Sequence, residues 1–232
     1  MTPVFIASTM RSGSTLLKAL LAVAEDVSDL PEFNFQSLSE QTGMERVQSL
    51  SEKPIVVMKR PAWFHETAAY PRIPQPPNRK VILLVRDVYE TVVSLRKMVF
   101  RKAAPLTGSI GNRFLVRYYW TGVMKRLLSL EGLPDYRMLR YEDLVANPID
   151  QTAGLFRFIG SSRTEGTDTY HPPGHGWSWG RDDGGQVIQS LKVRPPKPAQ
   201  YRDTALLRYI QNDAEVLGLR ERLGYGPLPP TE

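Results

Sequence analysis

Val4-Phe5-Ile6-Ala7, then Ser8-Thr9-Met10-Arg11-Ser12-Gly13-Ser14, then Thr15-Leu16-Leu17-Lys18-Ala19-Leu20-Leu21-Ala22-Val23-Ala24, is the stretch on which the fold turns. Four apolar residues next to a proline predict a short buried strand. Thr9 to Ser14 is polar and holds one glycine, which predicts a turn. From Thr15 the residues are strong helix formers, with apolar positions at helical spacing.

The rest of the chain repeats this alternation. Pro54-Ile55-Val56-Val57-Met58-Lys59 predicts a second strand, stopped by Pro61. Lys80 to Val85 predicts a third, continuously apolar as in a strand covered on both faces of a parallel sheet, and it runs into a helix from Asp87 to about Lys102. Ala103 to Asn112 reads as a flexible loop, Phe114 to Leu130 as helix, Tyr136 to Tyr141 as a fourth strand, and Ile149 to Ile159 as helix. Gly160 to Pro198 is rich in Gly, Pro, Trp and Asp, and a closing helix runs from about Asp203 to Leu223. Strands alternating with helices predict an α/β fold of three layers, with a central, mainly parallel sheet flanked by helices. Such folds bind ligands beyond the carboxyl ends of the strands. The turns after strands one, two and three all lie on that edge.

A chain of 232 residues suits one domain, residues 1–232. No apolar run approaches the roughly 20 residues of a membrane span, and Met1 to Ala7 lacks the basic and long apolar parts of a secretory signal. The expectation is a soluble, cytoplasmic protein without membrane partners. The chain has no cysteine, which excludes disulfides, thiolate zinc sites and cysteine nucleophiles. A formal charge of +6 favours an anionic partner. The basic residues are scattered and form no zinc-finger, RNP or basic-run signature, so nucleic acid is not expected. No feature of the sequence bears on oligomeric state.

Strand, Ser8 to Thr15, helix is the layout of a phosphate cradle. Backbone N–H groups curl around an anion and the helix N-terminus adds its positive dipole end. Ser14 and Thr15 bring hydroxyls and Arg11 a charged donor fork. Against the Walker A pattern, Ser8 replaces the first glycine and Ser14 the lysine that reaches the β- and γ-phosphates. The same residues also suit an ordinary Ser/Thr-capped helix. A second candidate is Arg86, ending the third strand on the functional edge, with Ser94 two helical turns further on. Together they can grip one phosphate, by a guanidinium fork and a hydroxyl. An Arg-Asp pair opening a helix is otherwise a common surface ion pair.

Thr9-Met10-Arg11-Ser12-Gly13-Ser14-Thr15-Leu16-Leu17 resembles the 5′-phosphosulfate loop of sulfotransferases that use PAPS (3′-phosphoadenosine 5′-phosphosulfate), in the R-S-G-S/T form of bacterial and carbohydrate-directed members. Arg86-Asp87 with Ser94 eight positions after the arginine resembles the family's 3′-phosphate motif, with Val88 where proline is usual. Arg140-Tyr141-Glu142-Asp143-Leu144 resembles its R-Y-E-D-L strand end, where the tyrosine lies near the nucleotide. Gly218 to Tyr225 looks like its terminal helix. Leu191-Lys192-Val193-Arg194-Pro195 sits where related enzymes close a basic loop over the 3′-phosphate, a role for which the stretch Gly174-His175-Gly176-Trp177 with Gly180-Arg181 competes.

The resemblance implies a P-loop-like fold and PAPS as donor, with PAP released. It assigns the 5′-phosphosulfate to Arg11, Ser12, Gly13, Ser14, Thr15 and Leu16, and the 3′-phosphate to Arg86, Ser94 and one of Lys192 or Arg194. Sulfuryl transfer asks mainly for alignment and for neutralising charge on the leaving phosphate, plus a base for the acceptor proton. Lys59 and Arg11 are the expected cations. Lys59-Arg60-Pro61-Ala62-Trp63-Phe64 resembles the K-S/T-P-x-Y-F element of heparan sulfate-type enzymes, in which Pro61 replaces the histidine base of the aryl and steroid enzymes. The heparan-type base position falls on Glu32, and His65 competes for the role. His171 and His175 are weaker candidates. Trp63, Phe64, Trp177 and Trp179 are candidate walls of an acceptor pocket, though aromatics also serve as core. No metal-ligand spacing is present, so no metal is expected. The reading is a sulfotransferase acting on a hydroxyl or amine of a small-molecule or carbohydrate acceptor. The alternatives are a P-loop small-molecule kinase using Mg-ATP and a non-catalytic nucleotide- or polyanion-binding module.

Overall fold

The computed structural model describes residues 1–30, 51–99, 108–174, 187–196 and 200–230, with Phe35, Glu45, Val47 and Ser49. Four strands, β1 (Thr2–Thr9), β2 (Ile55–Ala62), β3 (Lys80–Val85) and β4 (Tyr136–Arg140), form one sheet in the order β2-β1-β3-β4. All three pairings are parallel, with Val4 opposite both Val57 and Lys80. This is the expected three-layer α/β architecture. β1 and β2 outrun their sequence-predicted ends. Pro61 continues β2 opposite Ser8, which a proline tolerates because β2 is an edge strand and the missing N–H costs no ladder bond.

The helices are α1 (Ser14–Leu21), α2 (Val88–Val99), α3 (α-helical Gly108–Asn112, π-helical Arg113–Thr121 and α-helical Gly122–Leu128), α4 (Tyr141–Ala146), α5 (Pro148–Ile159), α6 (Thr204–Gln211) and α7 (Ala214–Arg222). Three differ from expectation. α3 begins inside the predicted loop, because buried Asn112 accepts a hydrogen bond from Arg96 of α2 and holds a Gly/Ser-containing turn in helix. Tyr141 begins α4 instead of ending β4. The predicted closing helix is two helices, each capped by an aspartate: Asp203 accepts from the Leu206 N–H at 2.9 Å and Asp213 from that of Val216 at 3.2 Å. Aspartate prefers that capping position to a helix interior.

Alternation along the strands sends side chains to two layers. Val4, Ile6, Val57, Ile82 and Leu84 pack with Leu17 and Leu20 of α1 and Leu155 and Phe156 of α5. Phe5, Ala7, Met58, Val81 and Leu83 pack with α2, α3, α6 and α7 through residues such as Val92, Leu127, Ile210 and Val216. Each aliphatic side chain fully buried there contributes about 1.5–3 kcal/mol relative to exposure.

From β1 the chain moves to β2 on one side and then to β3 on the other. That reversal opens a crevice at the carboxyl ends of β1 and β3, where open α/β sheets hold ligands. Among the described residues no helix is long and apolar enough to cross a membrane.

Candidate functional site

Between β1 and α1 the backbone takes positive φ twice, at Arg11 (65°) and Gly13 (89°). Such reversals turn successive N–H groups inward into an anion-binding concavity. Gly13 is required twice over. Its φ suits glycine, and a Cβ there would lie 2.4 Å from the Tyr141 ring. Gly13 is also the N-cap of α1, so no side chain caps this helix, and its first turn carries no acidic residue. The ordinary Ser/Thr cap is therefore not what this turn builds. The positive end of the helix faces the crevice.

Two buried tyrosines fix the entry to this loop. Tyr119, in the π-helical part of α3, accepts from the Met10 N–H at 2.7 Å and donates to the Ala62 carbonyl at 2.6 Å. Tyr70 accepts from the Ser8 N–H at 2.5 Å and donates to the Arg60 carbonyl at 2.8 Å. Burial pushes both hydroxyls well above the ordinary tyrosine range, so both remain O–H donors. Ser12 is buried, with its hydroxyl paired to that of Thr9.

Arg86 directly follows β3, beside the loop. Its Nη1 donates to the Arg11 carbonyl at 2.8 Å, and its guanidinium lies 4.6 Å from the centre of the Tyr141 ring. Its carbonyl accepts from the Trp120 indole at 3.0 Å. Arg86 Nε is buried without a hydrogen-bond partner among the described residues. Arg11 in turn donates through Nε to the Ser94 hydroxyl at 3.0 Å. Loop, β3 end and α2 therefore meet through Arg11.

These groups open onto one cleft. Arg11, Gly13, Ser14, Thr15 and Leu16 form its floor, with Arg86 and Tyr141 beside them. Lys192 and Arg194 form the facing wall, and Val145, Tyr170, Ile188 and Val193 line an apolar part. Among the described residues, four cationic side chains and no acidic one line it. The wall is secured by bonds from the Tyr170 N–H to the Leu191 carbonyl (3.1 Å) and from the Val193 N–H to the Asp168 carbonyl (2.7 Å). Lys192 pairs with Asp168 at 3.3 Å.

Other sequence-predicted residues fall elsewhere. Lys59 is buried within β2 opposite Ile6, three residues short of the strand end. His65 is exposed on a short 3-10 turn, Phe64–Glu66, and lines a shallow apolar depression with Phe64, Ile110, Arg113, Phe114 and Tyr118. Among the described residues, that depression shares none with the cleft. His171 is exposed. Glu32 lies outside the described residues, as do His175, Trp177, Trp179, Gly180 and Arg181.

A family model described as a sulfotransferase domain matches residues 1–171. The chain belongs to the sulfotransferase family. Solved structures of similar fold include the sulfotransferase domain of the curacin biosynthetic pathway (20% identity, 97% of this chain and 98% of that one, TM-score 0.55). They also include the sulfotransferase domain of the Synechococcus PCC 7002 olefin synthase (18% identity, 99% and 96%, TM-score 0.62). Mouse sulfotransferase SULT7A1, crystallised with PAP, aligns at 15% identity over 70% of this chain and 59% of its own, with TM-score 0.50. No curated protein matches the sequence significantly.

In this sulfotransferase the sequence reading missed the two tyrosine clamps. Their partners lie 62 and 109 residues away, and no local pattern announces such a contact. It also missed the apolar wall from Tyr170, Ile188 and Val193, which sits in an irregular stretch without periodicity.

Proposed function

We propose that this sulfotransferase moves a sulfuryl group from PAPS to a hydroxyl or amine of a small-molecule or carbohydrate acceptor and releases PAP. The observation that carries this reading is a cleft with two anion sites joined by one hydrogen bond. The uncapped α1 terminus with its loop is the first and Arg86 the second, and the Arg86–Arg11 bond of 2.8 Å sets them side by side. A nucleotide with phosphates at both 5′ and 3′ positions matches two such sites, and the apolar wall suits its base. The PAP complex of the similarly folded SULT7A1 supports the same donor.

On this reading residues 11 to 16 hold the 5′-phosphosulfate. Arg86, with Ser94 and one of Lys192 or Arg194, holds the 3′-phosphate. Ser94 already accepts from Arg11 and keeps its own O–H for a phosphate oxygen. The acceptor attacks sulfur in line with the bond from sulfur to the 5′-phosphate oxygen. A new S–O or S–N bond forms as that bond breaks, and the acceptor proton passes to a base. Glu32 is the proposed base and His65 its rival. Arg11 and Lys59 offset the charge growing on the departing phosphate. No metal is called for, because cationic side chains do this neutralising.

Thermal stabilisation tests the donor assignment, since a ligand that binds only the folded state raises the melting temperature. PAP should stabilise strongly, AMP weakly, and Arg86→Ala should remove the difference. Stabilisation by Mg-ATP with none by PAP overturns the reading in favour of a kinase.

A further inference from the structure

Arg86-Asp87 at the end of β3 and Tyr141-Glu142 at the start of α4 lie side by side and are linked twice. The Tyr141 ring lies against the Arg86 guanidinium, and the Glu142 carboxylate accepts from the Asp87 N–H at 3.0 Å. Asp87 also caps its own helix, accepting from the Tyr89 N–H at 2.8 Å. A third segment, from the far end of the chain, braces both acids. Arg220 of α7 donates through Nε to Asp87 Oδ2 at 2.9 Å, with both side chains almost wholly buried. The Tyr225 hydroxyl, just beyond α7, donates to Glu142 Oε2 at 2.9 Å. Neither Arg220 nor Tyr225 reaches the cleft, and both lie beyond the residues that the family model matches.

An arginine that recognises phosphate by a fork depends on the angle at which its plane is held. The guanidinium of Arg86 is set by the Arg11 carbonyl, the Tyr141 ring and the Glu90 carboxylate, 3.4 Å from Nη2. The Tyr141 ring belongs to the dipeptide that Tyr225 braces through Glu142, and Asp87, the chain neighbour of Arg86, is the residue that Arg220 braces. A surface ion pair at either place would matter little. A buried pair braced by a second hydrogen bond leaves costly orphaned groups when one member is removed.

We propose that Arg220 and Tyr225 are positioning residues for Arg86, acting through Asp87 and Glu142, and that they set the preference for a nucleotide carrying a 3′-phosphate. This rests on the reading of Arg86 as the 3′-phosphate ligand. The terminal helix, none of whose residues lines the cleft, thereby becomes part of donor selection.

PAP and AMP differ only in the 3′-phosphate, so the ratio of their dissociation constants isolates that site. Calorimetric titration of the full chain with each nucleotide should be run on the wild type, Arg86→Ala, Tyr225→Phe and Arg220→Gln. Tyr225→Phe keeps the ring and removes one buried donor. It is the informative variant should Arg220→Gln fail to fold. The expected result is a PAP affinity lowered about tenfold by Tyr225→Phe, the size of one hydrogen bond to a charged group, with AMP affinity unchanged. Arg86→Ala should bring the PAP-to-AMP ratio near one. Should Arg86→Ala leave the ratio intact, the 3′-phosphate assignment fails, and this inference with it. Should Arg86→Ala collapse the ratio while Tyr225→Phe leaves it at the wild-type value, the assignment stands and the positioning role is overturned. Equal losses of PAP and AMP affinity in Tyr225→Phe also overturn it, because they report general loosening of the fold.

Discussion

The Arg86 guanidinium donates to the main-chain carbonyl of Arg11 at 2.8 Å, across 75 residues of sequence. The end of β3 is thereby tied to the loop that follows β1. A lysine at position 86 keeps the charge and loses the planar fork, which cannot then serve a carbonyl, a tyrosine ring and a phosphate together. Arg86→Lys should weaken PAP binding by about tenfold or more, the equivalent of one charge-assisted hydrogen bond. Calorimetric titration with PAP is the check, and an unchanged dissociation constant refutes the argument.

Gly13 supports the same loop from below. Alanine there meets the Tyr141 ring and must hold a positive φ, and a strained non-glycine backbone of this kind costs about 1–3 kcal/mol. Gly13→Ala should lower both the melting temperature and PAP affinity. Adding Tyr141→Ala relieves the clash and leaves the φ, so the double variant should recover part of the stability lost by Gly13→Ala. Without any recovery, the ring contact is not what demands glycine.

How far this could be read from sequence divides along physical lines. The strands were legible because Val4 to Ala7 and Val81 to Val85 are short apolar runs bounded by turns, and each needs only its own residues to declare itself. The turn between β1 and α1 was legible because Thr9 to Ser14 is one contiguous polar run with a glycine. Boundaries set by remote contacts were not: α3 starts early because Asn112 meets Arg96, and the last helix breaks where Asp213 caps a new one. The clamp by Tyr119 and the brace by Arg220 join segments 109 and 133 residues apart, so nothing near either residue signals its role.

Lys59 separates binding from chemistry. It is buried in β2, and methionine has nearly its length without the charge. If Lys59 acts on the departing phosphate, Lys59→Met should cut sulfuryl transfer by about 10²–10³, the usual loss for one electrostatic contact made in the transition state. PAP affinity should change much less. Turnover with PAPS and a responsive acceptor, beside PAP titration, makes the test. Unchanged turnover removes Lys59 from the mechanism.

Glu142 makes stability depend on pH. Burial pushes its carboxyl above the ordinary value of 4.5, although the Asp87 N–H and the Tyr225 hydroxyl pull the other way. The folded state therefore holds this proton more tightly than the unfolded chain. Below about 4.5 that preference stabilises the fold in full. As pH rises through 4.5 and then through the higher folded value the contribution is lost, and above both it leaves a constant cost. Glu142→Gln removes the titration and keeps one acceptor. Relative to the wild type, its melting temperature should therefore improve as pH rises from about 4.5 through the higher folded value and then level off. Melting curves of both proteins across that range decide it, since groups that titrate alike in both cancel in the difference. A difference that stays flat, or that falls as pH rises, means that burial does not govern this carboxyl and that its two hydrogen bonds do.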